Sequence, residues 1–241
     1  MASKQRQIER WKNLERLSPI NLNCIVCDYT GLNETFLKLY ADDIFQAGKI
    51  IRHKCPNCGL IFGDLRFLNL SDEEISNDYE DVYTYFTEGD NRADQLNSLN
   101  SINIFQDKRL SYLDYACGIG KMIPILKNKG YNIYGYDKYV KQTNVLNNID
   151  NMKFDVIYCN NFIEHLIHPL EDIKKILNHL NDNGYLIFIS DCIDEYMVEF
   201  THFHTYYYTG NSFIILCDKL NLEIIESKTV GPCKIKVLRK K

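Results

Sequence analysis

Three groups of residues in this 241-residue chain have types and spacings that could do chemistry. The first is a turn. Leu113 to Gly120 reads LDYACGIG, and GYDKY follows at Gly135 to Tyr139. An apolar run carrying an acid gives way to small residues, and a second apolar run ends on Asp137. Small residues after a strand let backbone approach a ligand closely, and the next helix offers free N–H groups. An acid at the following strand tip accepts hydrogen bonds from ribose hydroxyls. Nucleoside contacts are therefore expected at Asp114, Ala116, Cys117, Gly118, Gly120, Asp137 and Lys138. A dinucleotide fingerprint needs a third glycine. Here Lys121, Met122 and Ile123 follow Gly120, so the loop suits a ligand without phosphates.

The second group is a cysteine quartet. Cys24 and Cys27 flank two residues, as do Cys55 and Cys58 in CPNCG. Each pair can wrap one metal, and two pairs complete a tetrahedral thiolate site. Zinc suits four soft thiolates, with a rubredoxin-type iron centre as the alternative. Four thiolates leave no open coordination position, so the metal is expected to be structural. Cys117, Cys159, Cys192, Cys217 and Cys233 stand in apolar context and read as buried fillers. The third group is histidine-rich. Asn160, Glu164 and His165 follow an apolar run that starts near Asp155. THFHTYYYTGNSF then carries His202, His204, Tyr206, Tyr207 and Tyr208.

These residues need a scaffold, and the apolar periodicity supplies one. Ile8, Trp11, Leu14 and Leu17 predict a helix over residues 4–17. Ser71 and Glu74 have capping-box spacing, so a helix is expected to start near residue 72. Leu96, Leu99, Ile102 and Phe105 mark another. From Leu110 onward strands and helices alternate. Strands are expected at 111–116, 131–136, 154–159 and 185–190, with a short third strand around Thr143 to Asn147. Helices are expected at 119–129, 169–180 and 210–220, and Asn183 and Gly184 should punctuate the chain before the strand at 185. Two closing strands, near 222–229 and 233–238, have no helix between them. The fold class is α/β, a Rossmann-like, doubly wound, mostly parallel sheet with an antiparallel C-terminal edge, plus a small N-terminal metal-binding module. The expected division is an N-terminal helix (1–19), a zinc-ribbon module (20–70), a helical connector (71–108) and the α/β domain (109–241). Between Asp137 and Phe154 the chain is too short for a full helix and a strand.

Net charge is −4, with hydrophobic residues at 45% and charged residues at 25%. A soluble globular protein is expected, and the absence of a basic stripe counts against a nucleic-acid partner. No signal-type apolar core or membrane-length run occurs, so a cytoplasmic location is expected.

LDYACGIG resembles the first motif of class I S-adenosylmethionine-dependent methyltransferases, with Ala116 replacing a common glycine. The resemblance implies S-adenosylmethionine as cofactor. Asn160 would touch its methionine part, and Leu146 and Asn147 would stand where adenine is walled. The run CPNCGLIFGDLRFLNLSDEEISNDYEDVYTYF is similar to the amino-terminal zinc module of sugar-modifying C- and O-methyltransferases. That likeness puts Tyr79, Tyr83, Tyr85 and Phe86 on the substrate side. Glu164 and His165 resemble a Glu-His pair that in some relatives joins a further carboxylate and histidine around a divalent metal. Here Asn161 stands where that further acid would be. His204 keeps the family spacing to Tyr207, Tyr208 and Thr209. The glutamate that precedes this histidine in C-methylating relatives is Phe203, which favours methylation at oxygen. Histidine has the pKa to take the proton of an alcohol acceptor. His204 is the expected base, His165 the second choice, and Tyr79, Tyr83, Tyr85, Glu164, His202 and Tyr207 the expected substrate contacts. The acceptor is read as a carbohydrate or similar polar metabolite, nucleotide-linked or polymeric sugars included. Two other readings remain at this point, an RNA or tRNA methyltransferase and a non-catalytic scaffold that binds the cofactor.

Overall fold

The structure is a computed structural model that describes residues 2–46, 48–85, 92–140, 142–196 and 201–241, without the side chains of Ala2 and Tyr83. In chain order its elements begin with α1 (Ala2–Asn13), β1 (Asn21–Asn23), β2 (Thr30–Leu32), β3 (Leu37–Asp42), β4 (Lys49–Lys54), β5 (Ile61–Gly63), α2 (Leu65–Leu68), α3 (Asp72–Tyr85) and α4 (Arg92–Asn100). They continue with β6 (Ser111–Tyr115), α5 (Met122–Asn128), β7 (Asn132–Tyr136), β8 (Phe154–Asn160), α6 (Pro169–Leu177), β9 (Leu180–Ser190), β10 (Tyr206–Tyr207), α7 (Ser212–Lys219), β11 (Leu222–Val230) and β12 (Cys233–Lys240). Two compact units result. The first is Met1–Glu88 with Glu164–Ile167 and Cys192–Leu216; the second is Gly89–Ile163 with His168–Asp191 and Cys217–Lys241.

In the first unit β1 and β2 form a hairpin, and a four-stranded antiparallel sheet runs β10-β5-β4-β3. The histidine-bearing segment 192–216 thus supplies this sheet with a strand. Helix α1 docks on α3 mainly around Asp78, with Arg6 pairing with Asp81 at 3.1 Å. Trp11, fully buried, donates its indole N–H to Asp78 at 3.2 Å. Gln7 donates to the Asp78 carbonyl at 2.9 Å, and Arg10 pairs with the Asp78 carboxylate. The helix ends at Asn13 and not at Leu17, whose side chain stays exposed and so adds no burial to sustain another turn. The capping box at α3 is formed. The Ser71 N–H donates to Glu74 Oε2 at 2.8 Å, and the Glu74 N–H to Ser71 Oγ at 3.3 Å.

In the second unit six strands run β11-β12-β9-β8-β6-β7. β7, β6, β8 and β9 are parallel, and β12 and β11 close the sheet antiparallel. The central strands are apolar along nearly their whole length because both faces are covered, and they bury Tyr112, Val156, Tyr158, Ile187 and Ile189. The expected third strand shrinks to one parallel bridge between Leu146 and Tyr136, with the Leu146 N–H donating to the Gly135 carbonyl at 2.8 Å. The helix expected over Leu96 to Phe105 is α4 followed by a 3₁₀ turn at Ile104–Gln106. Asn183 and Gly184 do not punctuate the chain; they lie inside β9, which begins at Leu180. A register shift in the β8–β9 ladder between Phe154 and Val156 absorbs them, and Gly184 is needed there. A Cβ at 184 would meet the Leu180 side chain at 2.8 Å and the Asp155 carbonyl at 2.9 Å. Cys159, Cys192 and Cys217 are buried as expected, whereas Cys117 and Cys233 are only half-buried.

Candidate functional site

The LDYACGIG turn leaves the tip of β6 and enters α5 in the second unit. Ala116, Gly118 and Gly120 all take positive φ, at 61°, 55° and 70°. That alternation explains why small residues alternate here, and it makes Ala116 the strained member, because a Cβ disfavours the left-handed region. The turn packs tightly. A Cβ on Gly120 would come within 3.1 Å of Val145 Cγ2, and one on Gly135 within 2.9 Å of Cys117 Sγ. Its N–H groups are largely occupied. Cys117 N–H donates to Tyr136 O, Gly120 N–H to Cys117 O and Gly118 N–H to Asp137 Oδ2. The turn therefore offers a close, flat backbone surface and not a cradle of free N–H groups for phosphate, which fits an adenosyl ligand.

Asp137 also accepts from the N–H groups of Tyr139 and Val140, at 2.9 and 3.0 Å. Its first job is thus to clamp the turn to the tip of β7. The carboxyl lies above its ordinary pKa because burial outweighs those three hydrogen bonds. Asp114 is buried in β6 and accepts from Tyr158 Oη at 2.7 Å. Burial, with a smaller push from Asp137, raises its pKa to about 7. Lys138 is exposed beside Tyr139. Leu146 is half-buried, Asn147 exposed, and Asn160 half-buried at the C-terminal end of β8.

In the first unit the two cysteine pairs fold alike. Asp28 N–H donates to Cys24 O, and Gly59 N–H to Cys55 O; Cys24 N–H donates to Tyr29 O, and Cys55 N–H to Leu60 O. Asp28 and Gly59 close the two turns with positive φ. The Sγ atoms of Cys24 and Cys58 are 3.6 Å apart, as are those of Cys27 and Cys55, and all four lie within 4.8 Å of one another. A tetrahedron with metal–sulfur bonds of about 2.3 Å has edges of roughly 3.8 Å. The four thiols fit one such ion. The second turn touches the histidine-bearing segment directly. Asn211 N–H donates to Cys58 O at 2.9 Å, Thr209 Oγ1 donates to Gly59 O, and a Cβ on Gly210 would meet Cys58 O at 2.7 Å.

That segment brings His204 and His165 together, their rings edge to face at 4.8 Å. His165 Nδ1 lies 3.1 Å from the Phe203 carbonyl, and His204 Nδ1 lies 3.6 Å from Cys192 Sγ. Thr205 donates to the Glu164 carbonyl through N–H and Oγ1, at 2.8 and 3.0 Å. Donor atoms of Glu164, His165 and His204 all lie within 4.8 Å of one another. Burial first, then the charges of His165, Arg52 and His202, holds His204 well below the ordinary histidine pKa, and burial brings His165 to about 4. Both rings are neutral proton acceptors at physiological pH.

His202 is buried, pairs with Asp43 Oδ1 through Nδ1 at 3.0 Å, and stacks near Trp11. Tyr85 donates to Gln7 of α1, and burial raises its pKa to about 12. Tyr79 packs on Phe203, 5.5 Å between ring centres, and lines a cavity of about 30 Å³ with His165 and His202. Tyr207 is buried on β10. The side chain of Tyr83, and Phe86 as a whole, lie outside the described residues. Sequence reasoning missed Asp43 and Arg52. Arg52 stands among other basic residues in the strand KIIRHK, so nothing in the sequence singled it out.

The methyltransferase domain family profile matches residues 90–227, more than half of the chain. The chain belongs to that family. It carries a methyltransferase domain. Among solved structures, the mitomycin 7-O-methyltransferase MmcR is 11% identical to this methyltransferase, with a TM-score of 0.51 over 70% of this chain and 57% of that one. At that identity the likeness is one of fold, and this methyltransferase spans little more than half of the mitomycin enzyme's length. The 1,6-didemethyltoxoflavin-N1-methyltransferase of Burkholderia thailandensis, solved with 1,6-didemethyltoxoflavin and S-adenosylhomocysteine, is 13% identical over 85% of this chain and 99% of its own, with a TM-score of 0.48. No curated protein matches the methyltransferase in sequence. No helix among its described residues is long and apolar enough to cross a membrane.

Proposed function

We propose that this methyltransferase methylates a hydroxyl oxygen of a carbohydrate or similar polar small metabolite, with His204 as the base and zinc holding the cysteine quartet. The carrying observation is the His204–His165 pair, two neutral imidazoles edge to face, with His204 on the tyrosine-rich segment. S-adenosylmethionine supplies a methyl group made electrophilic by its sulfonium. The residues proposed to hold it are Asp114, Ala116, Cys117, Gly118, Gly120, Asp137, Lys138, Leu146, Asn147 and Asn160. His204 takes the acceptor's hydroxyl proton as the oxygen–carbon bond forms and the sulfur–carbon bond breaks. Tyr79 and Tyr207 flank the acceptor, with Glu164 and His165 orienting it. Phe203 beside His204 offers no carboxylate to remove a carbon-bound proton, which supports transfer to oxygen.

A second reading comes from the spacing of Glu164, His165 and His204. One carboxylate and two histidines can share a divalent cation, which would acidify the hydroxyl in place of a histidine base. A net charge of −4 disfavours the RNA reading.

The test is a transfer assay on nucleotide sugars, free sugars and RNA with wild type and His204→Ala, with and without added Mg²⁺ or Mn²⁺. His204→Ala should lower turnover about a hundredfold or more, within the range of general-base contributions, while S-adenosylhomocysteine still binds. The acid limb of the wild-type rate should fall below the ordinary histidine pKa. Undiminished turnover in the variant would reject the base, and strict dependence on added cation would favour the second reading.

A further inference from the structure

Arg52 is fully buried in β4 of the first unit. Its Nη2 donates to the carbonyls of Thr201 and His204, at 2.7 and 3.0 Å. Its Nε and Nη1 have no hydrogen-bond partner. Arg6, Arg10, Arg66, Arg109 and Arg239 each pair with a carboxylate; among the described residues Arg52 pairs with none. Two tyrosine rings face it instead. The guanidinium carbon lies 5.0 Å from the centre of Tyr207 and 6.0 Å from that of the more exposed Tyr196.

A guanidinium cannot shed its proton to escape burial. Ring faces and two carbonyls offset part of the desolvation, but three N–H groups remain unbonded. An anion would satisfy them, and the charge sits where it grips the backbone of His204. We propose that Arg52 is an anion-binding residue of the acceptor site, taking a carboxylate or phosphate carried by the methyl acceptor. This deepens the reading of a carbohydrate acceptor and rests on it: the sugar would be an acidic or a phosphorylated one.

The test uses the full-length, zinc-replete protein. Thermal unfolding is followed against inorganic phosphate and, separately, glucuronate, with chloride at matched ionic strength as the control. A saturable rise in Tm is expected with at least one anion, at least tenfold weaker in Arg52→Met. A response to phosphate alone assigns a phosphorylated acceptor, and one to glucuronate alone assigns a sugar acid. No response to either, or an equal response in Arg52→Met, overturns the proposal. If Arg52→Met fails to fold, arginine ¹⁵Nε spectra of the wild type decide. The cross-peak missing from Arg52→Lys should move saturably with the anion, and a stationary peak overturns the proposal. If no sugar is methylated while the Arg52-dependent anion response persists, the anion site stands and the carbohydrate reading fails.

Discussion

Ala116 carries a backbone strain that glycine would not. Its φ of 61° places a Cβ in the left-handed region, at about 1–2 kcal/mol, whereas glycine's extra freedom in the unfolded chain returns about 0.4–1 kcal/mol. Ala116→Gly should therefore stabilise the protein by about 0.5–1 kcal/mol in urea unfolding, with cofactor affinity preserved. Asp114 makes a prediction of the opposite kind. Burial, and to a lesser extent Asp137, lifts its pKa to about 7 from the ordinary 3.8. The folded protein thus keeps a proton that the unfolded chain gives up between about pH 4 and pH 7. Stability falls as pH rises through that window and levels off above it. The loss between pH 5 and pH 8 is on the order of 2 kcal/mol. Asp114→Asn should flatten the dependence, read as urea midpoints at the two pH values. An unchanged slope in that variant would assign the dependence to another group.

The elements show which features were legible in the sequence and which were not. The parallel strands, the antiparallel hairpin and the capping box at Ser71 and Glu74 follow from local periodicity and spacing, and the structure has them. The small residues of the turn were legible as a close-approach loop, but their alternating left-handed φ was not. What else escaped was tertiary. Tyr206 and Tyr207 pair with β5, more than a hundred residues earlier, and nothing in their sequence announces a strand. Asp43 pairs with His202 across a similar separation, a contact that nothing local to either residue announces. The same long-range pairing links the cysteine cluster to the histidines. Cys58 and Gly59 hold the backbone of residues 209–211, and β5 holds β10. Removing the metal with a strong chelator should therefore release the histidine segment. Methyl transfer should be lost while S-adenosylhomocysteine binding, proposed for the second unit, should persist. One zinc per chain should be released as the four thiols become reactive. Transfer that survives full chelation would separate the cysteine cluster from the reaction.

At the scale of the whole molecule the family profile covers residues 90–227, and the quartet Cys24, Cys27, Cys55 and Cys58 lies outside it. Within the first unit, β10 of the histidine-bearing segment pairs with β5 of the N-terminal residues. Cofactor binding should reside in the turn of the second unit, and the direct test is calorimetric titration of the zinc-replete protein with S-adenosylhomocysteine. Wild type should bind one molecule per chain. Gly120→Ala, which adds a Cβ at φ +70° and 3.1 Å from Val145, should bind at least tenfold more weakly. Absence of saturable binding by wild type, or equal affinity in the folded variant, would contradict the account.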